Sequence, residues 1–307
     1  MDSSTIGSNP MLDPRVLHRV LKNPAALVSA GFLVFMVLAS VAGPMFLSPA
    51  MGEPGPNQYD PPSWEHPFGT DLNGRDVLYR VLTGGRISLL VGLCGALVSL
   101  FIGTAWGLIA GYAGGPVDAL MMRVVDILYS VPRLIFILIA ISAFNAGLQE
   151  WASREGFEWL VQSSRIAILI LTLGLIEWLT MARIVRGQVL SLKERQYVDA
   201  ARALGQSHSK ILVRHLLPNL AGIILVYLTL TIPAVVIDES FLSFLGLGIQ
   251  APQASWGSLL ADGAGVINPL RSFWWLLVFP AAAMSLTLLA LNFLGDALRD
   301  AFDTRTR

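Results

Sequence analysis

The chain has 307 residues, of which 54% are hydrophobic and only 14% are charged, and its mean hydropathy is +0.62. Soluble domains carry about 25% charged residues, so this composition excludes a soluble globular protein, and its hydrophobicity excludes a disordered chain. The 21 basic residues equal the 21 acidic ones, which argues against nucleic acid as a partner, and the single cysteine, Cys94, excludes an internal disulfide or a cysteine-cluster metal site.

Windows with little or no charge predict six membrane spans, because a helix needs about 20 apolar residues to cross the hydrocarbon core. The predicted cores lie at 27–47, 87–111, 120–145, 165–184, 220–240 and 273–295. A seventh uncharged window, 240–261, contains several glycines and a proline, so we interpret it as an external re-entrant or interfacial segment. The predicted fold class is therefore an all-α polytopic membrane protein with six transmembrane helices.

Lysine and arginine predict the orientation. With six spans both termini lie on one side, and that side holds 14 basic residues against 6 on the other. The positive-inside rule places both termini and the 185–218 loop in the cytoplasm. We divide the chain into a cytoplasmic N-terminal segment (1–23), the first transmembrane helix with its external loop (24–86), a core of five transmembrane helices (87–296) and a cytoplasmic tail (297–307).

The second predicted span carries a small residue at every fourth position. These residues are Gly95, Ser99, Gly103, Gly107 and Gly111. In lipid, such a stripe lets another backbone approach closely. We interpret it as packing inside this chain, and a face near a partner subunit or a pore is the alternative.

Several ionisable residues lie at membrane depth or near its edge. They are Asp126, Arg133, Glu177, Asp238 and Glu239. Intramembrane charges are costly and usually face the bundle interior or water. We predict that Glu177 pairs with Arg133 or Arg183 inside the bundle.

The end of the fifth predicted span supplies candidates for a pore or gate. These candidates are Asp238, Glu239, Phe241 and Phe244. For the two acidic residues, placement at the membrane interface is the alternative, since both sit close to the end of the apolar run.

The loop between the fourth and fifth spans, 185–218, is long for a compact protein and predicts structure of its own. Tyr197 to Leu204 is rich in helix formers, and Gly205 suits the left-handed conformation that ends a helix. Ser207 is then the expected cap of a second helix that runs to Leu217.

The first of these two helices carries three apolar residues on one face, Val198, Ala201 and Leu204. We expect this stripe to be exposed, which favours docking in a groove of a partner protein. An amphipathic helix resting on lipid headgroups is the alternative.

The segment Asp199-Ala200-Ala201-Arg202-Ala203-Leu204-Gly205, followed by Leu216-Leu217-Pro218-Asn219, resembles the coupling-loop motif of bacterial ABC importer permeases. That family has glutamate where this chain has Asp199, whose side chain is one methylene shorter. The resemblance implies contact with an ATPase subunit. The residues implied are Tyr197, Asp199, Ala200, Ala201, Arg202, Leu204, Gly205, Leu216 and Pro218.

The external loop His66-Pro67-Phe68-Gly69-Thr70-Asp71-Leu72-Asn73-Gly74-Arg75-Asp76 resembles the C-type permease subunit of dipeptide and oligopeptide importers. Segments 239–257 and 292–300 resemble the same family, and the resemblance extends over about residues 15 to 303. The candidates for docking an external binding protein are Gly69, Thr70, Asp71, Gly74, Arg75 and Asp76. A purely structural plug is the alternative for this loop.

The resemblance implies a subunit of the bacterial cytoplasmic (inner) membrane that works by alternating access. Membrane lipid is expected to surround its spanning helices. Its implied partners are a homologous second permease subunit, two ATP-binding subunits and an extracytoplasmic peptide-binding protein. None of the three lysines, Lys22, Lys193 and Lys210, follows a glycine, so a Walker A loop is absent from the sequence. ATP and Mg²⁺ are therefore expected on partner subunits, and we expect no cofactor, metal or catalytic residue in this chain.

The sequence also bears on three other functions. A permease of the same family for nickel or a glycosylated metabolite stays open, because one sequence does not assign the pore-facing side chains. A stand-alone secondary transporter would be expected to show paired broken helices in two repeats. A membrane enzyme has no support, since neither a His-Glu-x-x-His nor a Gly-x-Ser-x-Gly motif is present.

Overall fold

The computed structural model describes residues 14–267 and 271–302, with only the backbone described at 14–17 and 158–162. In this part of the chain all regular structure is helical, apart from one isolated bridge between Thr70 and Asp76. The all-α prediction is confirmed.

Eleven α-helices follow one another along the described chain. They are α1 (Pro14–Lys22), α2 (Pro24–Phe46), α3 (Val77–Ala113), α4 (Gly115–Ser130), α5 (Arg133–Arg154), α6 (Glu158–Leu192), α7 (Gln196–Ala203), α8 (His208–Ile211), α9 (Leu217–Phe244), α10 (Trp256–Gly265) and α11 (Trp275–Phe302). A 3₁₀ turn, Pro49–Gly52, follows α2. A π-helical segment, Leu212–Leu216, joins α8 to α9 without a break.

Six helices of the described residues are long and apolar enough to cross a membrane, which confirms the predicted number. They are Pro24–Phe46, Val77–Ala113, Arg133–Arg154, Ser163–Leu192, His208–Phe244 and Trp275–Phe302. The third differs from the predicted core at 120–145 because Pro132 interrupts the helix. A residue before proline avoids the α conformation, and Val131 is extended at φ −76° and ψ 128°. Arg133 therefore begins the third span instead of lying within it.

The bundle has two ends, which we call the α7 face and the α10 face after the short helices found there. At the α10 face the Nε1–H of Trp256, the first residue of α10, donates to the carbonyl of Val81 near the start of α3, at 3.0 Å. At the α7 face the Lys193 Nζ donates to the carbonyl of Gly111, at 2.8 Å. Arg19 of α1 donates to the carbonyl of Ala301, at 3.3 Å, so both described chain ends lie together.

The small-residue stripe of α3 packs inside the chain, mainly against α6. A Cβ added at Gly107 would lie 2.5 Å from the Ala182 carbonyl oxygen, and one at Gly103 would lie 2.6 Å from the Met181 Cβ. Gly95 meets Val235 of α9 instead. The backbones of α3 and α6 approach closely because these positions lack side chains, so the first of the two interpretations of the stripe holds.

Three ion pairs join α4 and α5 to α6. The pairs are Asp118–Arg186, Asp126–Arg183 and Arg133–Glu177, with closest N–O distances of 2.5, 2.8 and 2.9 Å. Two hydrogen bonds from Arg186 hold the pKa of the Asp118 carboxyl below its usual range. The predicted pairing of Glu177 is thus made with Arg133.

The uncharged window 240–261 contains a helix end, a loop and a helix start. The chain turns at Gly246, whose φ is +76°, a conformation that favours glycine. α10 then begins with a capping box, in which the side chains of Ser255 and Ser258 each accept a hydrogen bond from the other's backbone N–H. α10 packs against α3, α9 and α11.

Candidate functional site

The helix–corner–helix predicted between 185 and 218 is present at the α7 face. α7 ends at Ala203, Gly205 takes a φ of +73°, and α8 begins at His208. Two details differ from the prediction. The Ser207 side chain makes no capping hydrogen bond, and the second helix does not end at Leu217 but continues through the π-helical segment into α9.

The apolar stripe of α7 is mostly buried, which corrects the prediction of an exposed stripe. Val198 and Ala201 pack in a cluster with Val185 and Val189 of α6 and with Ile211 of α8. These apolar contacts attach α7 to α6 and α8, so the stripe is used inside the chain. Leu216 is buried in the same cluster and Pro218 is half-buried, so both support the corner from inside.

The opposite side of α7 and the corner after it form an exposed surface, which we call the α7 surface. It comprises Tyr197, Asp199, Ala200, Arg202, Leu204 and Gly205. Leu204, directly after α7, is 80% exposed, and leaving a leucine side chain in water forgoes about 2 kcal/mol of burial free energy. The surface is thus suited to contact with another protein.

Polar contacts within the α7 surface are weak. Asp199 and Arg202 form an exposed ion pair at 3.0 Å, and such pairs contribute little to stability. The Arg202 guanidinium also lies 5.6 Å from the ring centre of Tyr112. Partial burial raises the pKa of the Tyr197 phenol above its usual range. Its hydroxyl is exposed enough to offer a hydrogen-bond donor to a partner.

The loop between α2 and α3 is folded around its own acidic residues at the α10 face. The Asp71 carboxylate accepts hydrogen bonds from the backbone of Asn73 and Arg75 and from the Arg80 guanidinium, at 2.7 to 2.9 Å. Asp76 caps α3 by accepting from the Tyr79 N–H, at 2.9 Å. Both side chains are buried, so they are used within the loop.

Three further docking candidates of this loop, Gly69, Thr70 and Gly74, also make contacts within the chain. Thr70 is buried, its hydroxyl donates to the Asn57 carbonyl at 2.6 Å, and its own carbonyl accepts from the Trp275 indole at 3.2 Å. Gly69 and Gly74 both have a φ of +73°, and a Cβ at Gly69 would lie 2.6 Å from the Asp60 carbonyl oxygen.

The groups that this loop exposes are different ones. Leu72 is exposed, and Trp64 is exposed completely. Trp64 is not among the residues predicted from the sequence, although a tryptophan between Ser63 and Glu65 in a polar loop is a usable signal for a contact residue. Arg75, among the predicted residues, is half-buried.

The pore or gate candidates fall into two groups. Phe241 and Phe244 are exposed on α9, and Asp238 is half-buried. Glu239 is 0% exposed, so its carboxylate contacts no open space. It accepts hydrogen bonds from the hydroxyls of Ser88 and Ser243, at 3.0 and 2.6 Å.

The same serines extend the Glu239 network to two further segments. The Ser88 hydroxyl accepts from the Trp256 N–H at 3.2 Å, and the Ser243 hydroxyl accepts from the Ile249 N–H at 2.9 Å. Glu239 thereby connects α3, α9, the 245–255 loop and α10. This placement supports a structural role for Glu239 and leaves Asp238, Phe241 and Phe244 as the accessible members of the set.

Two family models match the sequence. Residues 103–307 match the model described as binding-protein-dependent transport system inner membrane component, and residues 15–62 match the N-terminal TM domain of oligopeptide transport permease C.

Curated relatives agree with these matches. The chain is 41% identical to the oligopeptide transport system permease protein OppC of Haemophilus influenzae, over 94% of this chain and 88% of that protein. It is 43% identical to the dipeptide transport system permease protein DppC of Bacillus subtilis, over 94% and 85%. It is 41% identical to OppC of Escherichia coli K12, over 94% and 90%.

Proposed function

The chain belongs to the family of binding-protein-dependent transport system inner membrane components, and we propose that it is the permease subunit of an ATP-driven importer of dipeptides or oligopeptides. Members of this family are multi-pass inner-membrane transport subunits and not enzymes by themselves. Peptide is favoured over nickel or a glycosylated metabolite because the relatives at 41–43% identity are named as oligopeptide and dipeptide permeases.

The coupling proposal depends on the exposed Leu204 of the α7 surface. A leucine that projects from the corner after α7 suits an apolar cleft in a partner, where burying its side chain would gain about 2 kcal/mol. We assign the partner as an ATP-binding subunit, which supplies ATP and Mg²⁺. This chain then forms half of the translocation pore together with a homologous second permease subunit and another ATP-binding subunit.

Movement of α7 has a direct route into the bundle. Its buried residues Val198 and Ala201 pack against α6 and α8, and α8 is continuous with the spanning helix that contains Asp238. Closure of the ATP-binding subunits would therefore shift α6 and α9 as packed bodies, which is the kind of rigid-body change that alternating access requires.

The orientation follows from the same assignment. The α7 face lies in the cytoplasm together with both chain ends, and the α10 face lies outside, where α10 serves as a short re-entrant helix. An extracytoplasmic peptide-binding protein docks on the α10 face, and the exposed Trp64 and Leu72 are its contact residues, since the predicted Asp71 and Asp76 are occupied within the loop.

The test is peptide uptake by the assembled transporter in proteoliposomes with the binding protein and ATP. Leu204→Glu places a charge in the docking cleft, so we expect at least about a tenfold loss of ATP-driven uptake, equal to about 1.4 kcal/mol of lost coupling. Leu204→Met is the matched control, because it keeps an apolar side chain of similar volume and should retain uptake. Normal uptake by the Leu204→Glu transporter would contradict the docking role.

A further inference from the structure

The end of α3 contacts the corner between α7 and α8 through Tyr112. This tyrosine is the next-to-last residue of α3. Its hydroxyl and the Nδ1 of His208, the first residue of α8, are joined by a hydrogen bond of 2.8 Å, and the two rings meet edge to face with their centres 5.6 Å apart. The Arg202 guanidinium, in the last turn of α7, lies 5.6 Å from the centre of the Tyr112 ring. Tyr112 therefore contacts the chain on both sides of the corner.

The start of α8 lacks the capping contact that usually fixes the first turn of a helix. The Ser207 side chain makes no capping hydrogen bond, and the chain turns into α8 through Gly205. Side-chain contacts therefore contribute to the angle between α7 and α8. Within the corner, Gln206 Oε1 and His215 Nε2 are joined at 2.9 Å. From α3, the bond of Tyr112 holds the first residue of α8.

The backbone that carries Tyr112 is itself closely held. An added Cβ at Gly111 would lie 2.8 Å from the Cβ of Val189 on α6, and the Gly111 carbonyl accepts a hydrogen bond from the Lys193 Nζ at 2.8 Å. The Tyr112 side chain is half-buried and packs against the apolar cluster that attaches α7. The ring is therefore a fixed support beside a corner whose own residues are mostly exposed.

We propose that Tyr112 is a positioning residue that holds the corner between α7 and α8 in the orientation that presents the α7 surface to the ATP-binding subunit. This inference rests on the proposed function. The contact with Arg202 positions one member of the α7 surface directly, and the bond to His208 holds the chain four residues beyond Leu204. A surface that is ordered before it docks loses less conformational entropy on binding. Tyr112 therefore strengthens the coupling of ATP hydrolysis to transport.

The first measurement is hydrogen exchange of the backbone amides of 204–212 in the full-length chain, purified in detergent. Tyr112→Phe keeps the ring and removes the bond to His208, so we expect these amides to exchange about fivefold faster, the effect of one lost hydrogen bond. Tyr112→Ala also removes the ring contacts and should exchange faster still. Tyr79→Phe removes a hydroxyl near the opposite end of α3, and as the matched control it should leave the exchange of 204–212 unchanged.

A double variant shows whether Tyr112 and His208 act through each other. Tyr112→Phe and His208→Ala break the same hydrogen bond, so their combination should exchange no faster than His208→Ala alone. Additive effects of the two substitutions would overturn the proposed contact. Parent-like exchange in both Tyr112→Phe and Tyr112→Ala would overturn it as well.

The second measurement is peptide uptake per ATP hydrolysed by the assembled transporter in proteoliposomes. We expect this ratio to fall severalfold in Tyr112→Ala and less in Tyr112→Phe, because hydrolysis continues on the partner subunits while the docking surface is held less well. A variant that only lost stability would lower uptake and hydrolysis together and keep the ratio. A parent-like ratio in Tyr112→Ala would overturn the positioning role. A parent transporter that moves no peptide would instead refute the proposed function, whatever hydrogen exchange shows for the corner.

Discussion

Glu239 carries a carboxyl group into the interior of the bundle, where serine hydroxyls surround it. Because Ser88 and Ser243 also accept backbone N–H groups of α10 and of Ile249, this side chain organises the turn that follows α9. Buried polar networks of this kind fix one arrangement of the surrounding segments when every member is satisfied.

Glu239→Ala removes the acceptor for two buried hydroxyls, so we predict a loss of about 3 kcal/mol in the free energy of unfolding. Glu239→Gln keeps one acceptor oxygen and should cost clearly less. Thermal unfolding of the two variants in the same detergent measures the difference, with Glu150→Ala on the exposed surface as the control. Equal stability of Glu239→Ala and the parent would contradict the network.

At the same scale, Val198 and Ala201 explain a limit of sequence analysis. The spacing of apolar residues in 197–204 correctly predicts a helix and one apolar face. The direction of that face is set by whether α6 and α8 lie against it, and no local pattern carries this information. The structure uses Val198 and Ala201 for attachment, which leaves Leu204 as the apolar residue of the stripe that is available to a partner.

At the scale of elements, the small-residue stripe of α3 lets the α3 and α6 backbones lie close together. Its glycines lie directly against the α6 backbone, as at Gly107 and Ala182. The repeat of small residues every four positions predicts close helix packing. It does not identify the neighbouring helix, because a stripe of this kind suits any neighbour.

Gly107→Ala should push α3 away from α6 and destabilise the protein by about 2 kcal/mol, as overpacking of a tight core does. Gly147→Ala on α5 is the matched control, because nothing lies within 4 Å of a Cβ at that position. Chemical unfolding of both variants in detergent tests this pair. Alanine by itself favours a helix over glycine, so a Gly107→Ala protein as stable as the Gly147→Ala protein would contradict the close α3–α6 contact.

The third span shows another limit at this scale. The hydropathy of 120–145 predicts one continuous helix, whereas Pro132 divides it into α4 and α5. The proline is visible in the sequence. The compensating ion pairs on both sides of the break, from Asp118 to Arg133, involve α6 residues more than 40 positions away and were only partly predictable.

At the scale of the whole molecule, the number of spans, the corner at Gly205 and the family motifs are all predictable from the sequence, because each depends on local composition or short-range geometry. The arrangement of the α10 face is not. It depends on the Trp256 and Trp275 indoles, which donate to the carbonyls of Val81 and Thr70 across more than 170 residues.

The central claim is that the α7 surface docks on a separate ATP-binding subunit, and cysteine cross-linking in the assembled, transport-active complex tests it most directly. In a Cys94→Ser background, Ala200→Cys lies on the exposed side of α7 and Ala201→Cys on its buried side. We predict that a short cross-linker joins Ala200→Cys to the ATP-binding subunit and that Ala201→Cys gives no product. Failure of Ala200→Cys to capture that subunit in the active complex would contradict the claim.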